Sequence, residues 1–229
     1  MNILIACEES QAVCKEMRRL GHEAYSADIQ DCSGGYPEWH IKGDVLPLIN
    51  GRCEFTTMDG QRHKILGKWD MIIAHPPCTY ISNAGACRLY PHKGQLDFDR
   101  YNKGLEAKEF FLKFFNADCD FIAIENPVHS RVFNMPPFSQ EIQPYQFGHP
   151  FSKKTRLWLK GLPELVSTEI LDKYTPFLPS GTGRKIKSTY GSCKRGDDAK
   201  NRSKTFLGIA RAMAEQWTNF IMDSRGSEV

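Results

Sequence analysis

The chain has 229 residues, of which 41% are hydrophobic and 25% charged, with 30 Lys and Arg against 27 Asp and Glu. That length suits one full-sized globular domain, and those fractions exclude wholesale disorder, collagen-like repetition and low complexity. A net charge of +3 is too mild to mark a nucleic-acid binder by its sum, because a basic face counts for more than the total.

The first unit reads strand, loop, helix, strand. Residues 2–6 are a short apolar run suited to a buried strand, followed by a polar loop over 7–10. Ala12, Val13, Met17 and Leu20 then fall on one helical face, and Gly21 stops the helix. A second strand over 23–27 ends at Asp28, so about thirty residues make a βαβ unit, which implies a parallel sheet. A hairpin is expected over 53–57 and 63–66, turned at Asp59-Gly60. Residues 70–74 form another buried strand, and Pro76 and Pro77 force the chain out of the sheet there. A Phe-rich helix over 105–115 precedes a strand at 121–124 that ends in Glu125-Asn126-Pro127, and 156–159 is short and strand-like. Phe206, Ile209, Ala210, Met213, Ala214, Trp217 and Ile221 make an unbroken helical stripe. Alternation of strands and helices predicts one doubly wound, mostly parallel α/β domain with a small irregular insertion near its C-terminus.

No apolar run approaches the roughly 18–20 residues of a membrane span, and MNILIA is too short, and lacks the basic flank, for a secretory signal. A soluble, cytoplasmic protein is expected. None of the eight cysteines forms a C-x-x-C pair or a zinc-type spacing, so no metal is expected and most should be reduced and buried.

Ligands of open α/β sheets bind beyond the carboxyl ends of the strands. Those ends carry Glu8 and Glu9, Asp28, Cys78 and Glu125. The loop after the first strand holds no glycine, and its two carboxylates would repel a pyrophosphate, which disfavours NAD and FAD. A cofactor with a cationic portion and no phosphate, such as S-adenosylmethionine, is compatible. Asp28 stands about twenty residues on, where an acid can accept bonds from ribose hydroxyls. Glu8 and Glu9 have a second explanation, the favour that helix N-termini show to anions. In His75-Pro76-Pro77-Cys78 the prolines fix the backbone and project a thiol into the cleft, where it can act as a nucleophile.

Taken together these residues resemble the DNA cytosine-5 methyltransferase family, in the compact form encoded by phages and prophages. Pro77-Cys78 within IIAHPPCTYIS is similar to the family's nucleophile motif, Glu125-Asn126-Pro127-Val128 to its Glu-Asn-Val motif, and the stretch from Gly148 to Arg156 to Gly-x-Pro-Gln-x-Arg-x-Arg. That third match is one residue longer, with Ser152 and Lys154 replacing Gln and the first Arg, and the Phe-x-Gly-x-Gly loop is replaced by residues 5–10. The resemblance implies a Rossmann-like class I S-adenosylmethionine-dependent fold, with a catalytic core over 1–160, a very small target-recognition insertion over 161–202 and a core-completing helix over 203–222.

It also implies roles. Cys78 adds to carbon-6 of a flipped cytosine, Glu125 bonds or protonates ring nitrogen 3, and Arg156 donates to the carbonyl oxygen. Cofactor contacts fall to Ala6, Cys7, Glu8 and Glu9 in the first loop, Asp28 and Ile29 after the second strand, and Asp44, Val45 and Pro76 further on. Double-stranded DNA is the implied partner in a bacterial or phage-infected cell, met by Thr79, Ser82 and Lys154. A basic stretch from Arg184 to Lys204 adds Arg184, Lys185, Lys187, Tyr190, Lys194 and Arg195 as DNA contacts, or else is a solvated face. Competing readings are an exocyclic-amine methyltransferase, a cytosine-5 methyltransferase acting on RNA or a nucleotide, and a catalytically silent DNA-binding protein of the same fold.

Overall fold

The apolar opening forms strand β1 (Asn2–Ala6), with four of its five residues buried. Helix α1 (Ala12–Arg19) buries Val13, Cys14 and Met17 and places Arg18 and Arg19 in its last turn, where cations meet the negative end of the helix dipole. It closes in a Schellman motif: Gly21, at φ 84°, donates to the Arg18 carbonyl, and His22 to that of Met17. Strand β2 (Glu23–Asp28) pairs parallel with β1, and β3 (His40–Lys42) pairs parallel with β2. The expected hairpin is β4 (Cys53–Thr56) against β5 (Arg62–Ile65), in a small sheet of its own. Strand β6 (Met71–Ala74) stops short of His75-Pro76-Pro77, as a chain without proline N–H donors must.

The coordinates are a computed structural model that describes residues 1–86, 88–176 and 204–226. After the single turn α2 (Asn83–Ala86), helix α3 (Phe98–Phe115) begins seven residues before the expected 105–115. The Asp97 carboxylate accepts the Arg100 N–H at 2.9 Å, and this cap starts the helix through a polar stretch that has no apolar stripe. Strand β7 (Ile122–Pro127) follows, then β8 (Gln140–Ile142), β9 (Phe151–Ser152), β10 (Thr155–Lys160) and β11 (Thr175–Pro176), and the chain ends in α4 (Leu207–Gly226).

The seven-stranded sheet runs β3-β2-β1-β6-β7-β10-β8. The first five strands are parallel, while β10 lies antiparallel between β7 and β8. This is the expected doubly wound, mostly parallel, Rossmann-like sheet, and its order reverses between β1 and β6. One face packs on α1 and α4 through Val13, Met17, Met213 and Trp217. The other packs on Phe111 and Phe114 of α3 and on Phe55 of the hairpin. The carboxyl ends of β1 and β6, at this reversal, are where the unusual polar residues sit.

The first part of the expected insertion is bonded to the core. The Gln140 side-chain amide makes two hydrogen bonds with the Leu165 backbone, each 2.8 Å, and Gln216 of α4 does the same with Val166. Residues 177–203, which hold the rest of it, lie outside the described residues.

Gln11, just before α1, is fully buried at φ 56° and clamps the loop before β3. Its Nε2 donates to the Tyr36 carbonyl at 2.8 Å, and its Oε1 accepts the Tyr36 N–H at 3.1 Å. Gln11→Ala strands both backbone groups, and we expect a loss of about 1–3 kcal/mol. Equilibrium denaturant unfolding of the two proteins side by side measures it.

Candidate active site

The carboxyl ends of β1 and β2 and the turn after β3 converge. Burial pushes the Cys7 thiol far up, with the charges of Asp28 and Asp44 adding to the effect, so both acids stand close to Cys7. Cys7 itself has φ 60°, the left-handed backbone that a glycine would hold at less cost. Asp28 Oδ1 accepts the Gln30 N–H at 2.9 Å, and Asp44 Oδ1 the Leu46 N–H at 3.0 Å. Each keeps its second oxygen for another donor. Ile29, 76% exposed, lies beside them as an apolar surface, whereas Ala6 and Val45 are buried in the core.

Glu8 resolves one of the open alternatives. Its carboxylate accepts the N–H groups of Val13 and Cys14 at 2.7 and 3.2 Å. It fills the position at the start of α1 where a dinucleotide-binding fold receives phosphate. Burial raises the Glu8 pKa, with the His75 charge and the two amides pulling the other way. Glu9 is buried beside it.

The carboxyl ends of β6 and β7 are joined by side chains. Ala74 lies opposite Ile124 in the parallel register, and the next pair out is His75 and Glu125. His75 Nδ1 donates to Glu125 Oε2 at 2.9 Å, and the side chains are only 10% and 13% exposed. Burial disfavours the imidazolium, yet Glu125, with Glu8 behind it, outweighs that cost and raises the His75 pKa. Burial likewise disfavours the Glu125 carboxylate, but His75 and then Lys153 hold its pKa below the ordinary value. Both shifts favour the charged form of each partner.

The Cys78 loop is fastened to the same strand end. Asn126 Nδ2 donates to the Pro76 carbonyl at 2.7 Å, and its Oδ1 accepts from His129 Nε2 at 2.9 Å. Burial and the Arg156 charge lower His129 to about 4, so it is neutral and keeps that proton on Nε2. Beyond this point residues 78–83 run alongside 127–130, bonded from Asn83 N to Val128 O and from Ser130 N to Ile81 O. Arg100 of α3 braces the loop from outside, donating to the carbonyls of Thr79 and Gly85 at 3.3 and 3.0 Å. Cys78 is half-buried there, packed with Ile81, Leu89 and Phe133. The thiols of Cys14, Cys53 and Cys119 are pushed up by burial, like that of Cys7, so none of these four is disposed to form a thiolate.

Arg156 is not brought to Glu125. Across the β7–β10 ladder Leu157 faces Glu125 and Arg156 faces Asn126, and partners in an antiparallel pair share a sheet face. Arg156 therefore leaves the opposite side, where its guanidinium lies 4.2 Å from the Phe138 ring centroid and bonds Glu141 at 3.3 Å. Among the described residues, the cation whose charge reaches both Glu125 and His75 is Lys153. The sequence assigned His75 and Arg100 no role, and Lys153 only a fallback place on the DNA surface; His75 stood inside the quoted motif, and nothing in its spacing announced a carboxylate fifty residues away.

The expected DNA contacts divide similarly. Thr79 is exposed, while Lys154 is paired with Glu141 at 2.9 Å. Ser82 is buried, and its hydroxyl accepts the Gly85 N–H at 3.2 Å, so it serves the loop. Arg184, Lys185, Lys187, Tyr190, Lys194 and Arg195 lie outside the described residues. Among the described residues no cluster of His, Cys, Asp or Glu could hold a metal ion, and no helix is long and apolar enough to cross a membrane.

No family model and no curated protein matches the chain. It is similar, at low identity, to solved structures of methyltransferases. A prophage-encoded E. coli protein described as a DNA modification methyltransferase is 13% identical at a TM-score of 0.42, covering 75% of this chain and 52% of that one. Entamoeba histolytica methyltransferase EhMeth is 13% identical at 0.42, covering 75% and 57%. A triple mutant of Spodoptera frugiperda DNMT2 is 16% identical at 0.36, covering 78% and 55%. The chain spans only a little over half the length of each.

Proposed function

We propose that this chain is an S-adenosylmethionine-dependent methyltransferase that methylates carbon-5 of cytosine in DNA. The observation that carries the reading is the lacing of the Cys78 loop to the Glu125 strand end, beside the crevice between β1 and β6. The loop that carries the thiol is thereby fastened to the strand end that carries the carboxyl, at the place where open α/β sheets bind ligands.

The residues at the first three strand ends suit the cofactor. Glu8 occupies the phosphate position, which excludes a pyrophosphate, whereas Asp28 and Asp44 each offer an acceptor to a hydroxyl or an ammonium group. Ile29 offers an apolar face to a base. When bound, S-adenosylmethionine supplies a methyl group on a cationic sulfur and leaves as a neutral thioether.

The chain's own groups do the rest. Carbon-5 of cytosine is a weak nucleophile, so the Cys78 thiolate adds to carbon-6 and the displaced π electrons make the ring enamine-like. Ring nitrogen 3 takes a proton from Glu125 as this happens. Carbon-5 then carries both methyl and hydrogen; a solvent base takes that hydrogen as a proton, the freed electron pair re-forms the carbon-5–carbon-6 double bond, and the thiolate leaves carbon-6. Lys153, whose charge reaches Glu125, is the cation this reading assigns to the carbonyl oxygen, and Arg156 braces Glu141 and Phe138 behind the strand. Duplex DNA presents its base to such a site only when flipped out. Thr79, Lys154 and the basic stretch over 184–204 are proposed to meet the backbone.

Asp28→Ala and Asp44→Ala should each weaken S-adenosylmethionine binding by about 1–3 kcal/mol, the cost of a lost bond to a polar ligand group. Calorimetric titration measures it, and unchanged affinity in both variants would put the cofactor elsewhere. The function itself is tested by bisulfite sequencing of DNA from cells expressing the protein. Protected cytosines that vanish with Cys78→Ser support the reading, and none above background sinks it.

A further inference from the structure

We propose that His75 is a positioning residue that keeps a proton on the buried His75–Glu125 pair, from which Glu125 passes it to ring nitrogen 3 of the target base. The inference rests on the function proposed above and extends it to a side chain with no role in that reading. Three observations carry it. The His75 side chain is nine-tenths buried and bonded through Nδ1 to Glu125 at 2.9 Å. Its backbone N–H is tied to the Ala6 carbonyl at 2.9 Å, so the ring is held where β1 meets β6. Its Nε2 is buried with no hydrogen-bond partner among the described residues. Among the described residues Glu125 is the one hydrogen-bond partner of this ring, so a proton on Nδ1 is shared with Glu125.

The charged groups facing the pair come from three elements. Glu8, from the loop after β1, favours a cationic imidazole; Lys153, from the segment before β10, opposes it; and Glu125, on β7, is the direct partner. The balance raises the His75 pKa and lowers that of Glu125, which favours the proton on the imidazole rather than on the carboxylate. A lone Glu125 carboxylate would have nothing to donate. With His75 in place, ring nitrogen 3 takes the proton from Glu125 Oε as the thiolate adds, and Nδ1 replaces it, leaving a neutral imidazole and a carboxylate. Expulsion of the thiolate reverses both transfers, so the pair ends each turnover as it began.

The sign of the pH dependence follows. The proton is held below the raised His75 value and lost as pH rises through it, so the parent's alkaline limb belongs to the pair. His75→Asn leaves an amide N–H where Nδ1 stood and preserves the bond to Glu125, but it carries no titratable proton. The test is the rate of methyl transfer to duplex DNA from about pH 5 to about pH 9 for the two full-length proteins. We expect the variant's alkaline limb to begin at lower pH, so that the loss grows from a few-fold near about pH 6 to roughly 100-fold near about pH 8. A loss equal at every pH, or no loss, overturns the proposal and leaves His75 a structural bond. Should His75→Asn fail to fold, titration of the His75 ring resonances by NMR in the parent decides it. Titration above the ordinary histidine value of about 6.5 is required, and a lower midpoint overturns the proposal. A parent that methylates no DNA at any pH would instead sink the function proposed above, whatever the ring resonances report.

Discussion

Cys78→Ser is expected to abolish methyl transfer, by roughly 10⁴-fold or more, the scale on which removal of a covalent nucleophile acts. The hydroxyl of serine is far less acidic than a thiol and gives no useful population of the anion that must add to carbon-6. The change is nearly isosteric, and the loop is held by bonds that do not involve the sulfur: Asn126 to Pro76, Asn83 to Val128 and Arg100 to Thr79. Folding and cofactor affinity should therefore match the parent. DNA carrying 5-fluorocytosine supplies the complementary result, because fluorine cannot leave carbon-5 as hydrogen does. The parent should remain bonded to that DNA through Cys78, and the variant should not. Near-native turnover by Cys78→Ser, or an adduct mapped by mass spectrometry to another cysteine, would overturn the assignment.

Trp217→Ala should cost about 3–5 kcal/mol, the largest stability loss expected of any single side chain here. Trp217 is fully buried in α4, in the layer that packs against α1 and the sheet. Its indole N–H also donates to the Pro163 carbonyl at 3.0 Å, so truncation leaves a cavity and an unsatisfied acceptor together. That bond joins α4 to the segment after β10, next to the paired bonds of Gln216 with Val166. Denaturant unfolding should show a lower midpoint with little change in slope. A loss under about 1 kcal/mol would mean that the helix is not part of the core.

Local pattern was enough for most of the fold. Apolar runs at 2–6 and 70–74, the stripe ending at Gly21 and the Asp59-Gly60 turn all appear where the sequence places them, because each is marked by the pattern of its own contiguous residues. Strand β8 was not legible: Gln140 and Glu141 are polar, and the strand exists because it pairs with the edge of β10. The start of α3 was legible in principle from Asp97, a capping residue in the right place, but no apolar period drew attention to it.

The site divides along the same line. Cys78 and Glu125 could be singled out because each stands in a short, unusual motif at the end of a buried apolar run, and a parallel sheet brings successive strand ends together. Which cation serves them could not. Arg156 and Lys153 stand three residues apart in one basic run, and only the register of β10 on β7 decides that Arg156 turns away toward Glu141. The partnership of His75 with Glu125 likewise exists only because Ala74 and Ile124 pair across adjacent strands. Sequence therefore determined the strands, the helices and the chemistry-bearing residue types, all properties of contiguous chain. The side of the sheet that each charge faces, and with it the partner that sets its protonation, came from pairing between distant segments.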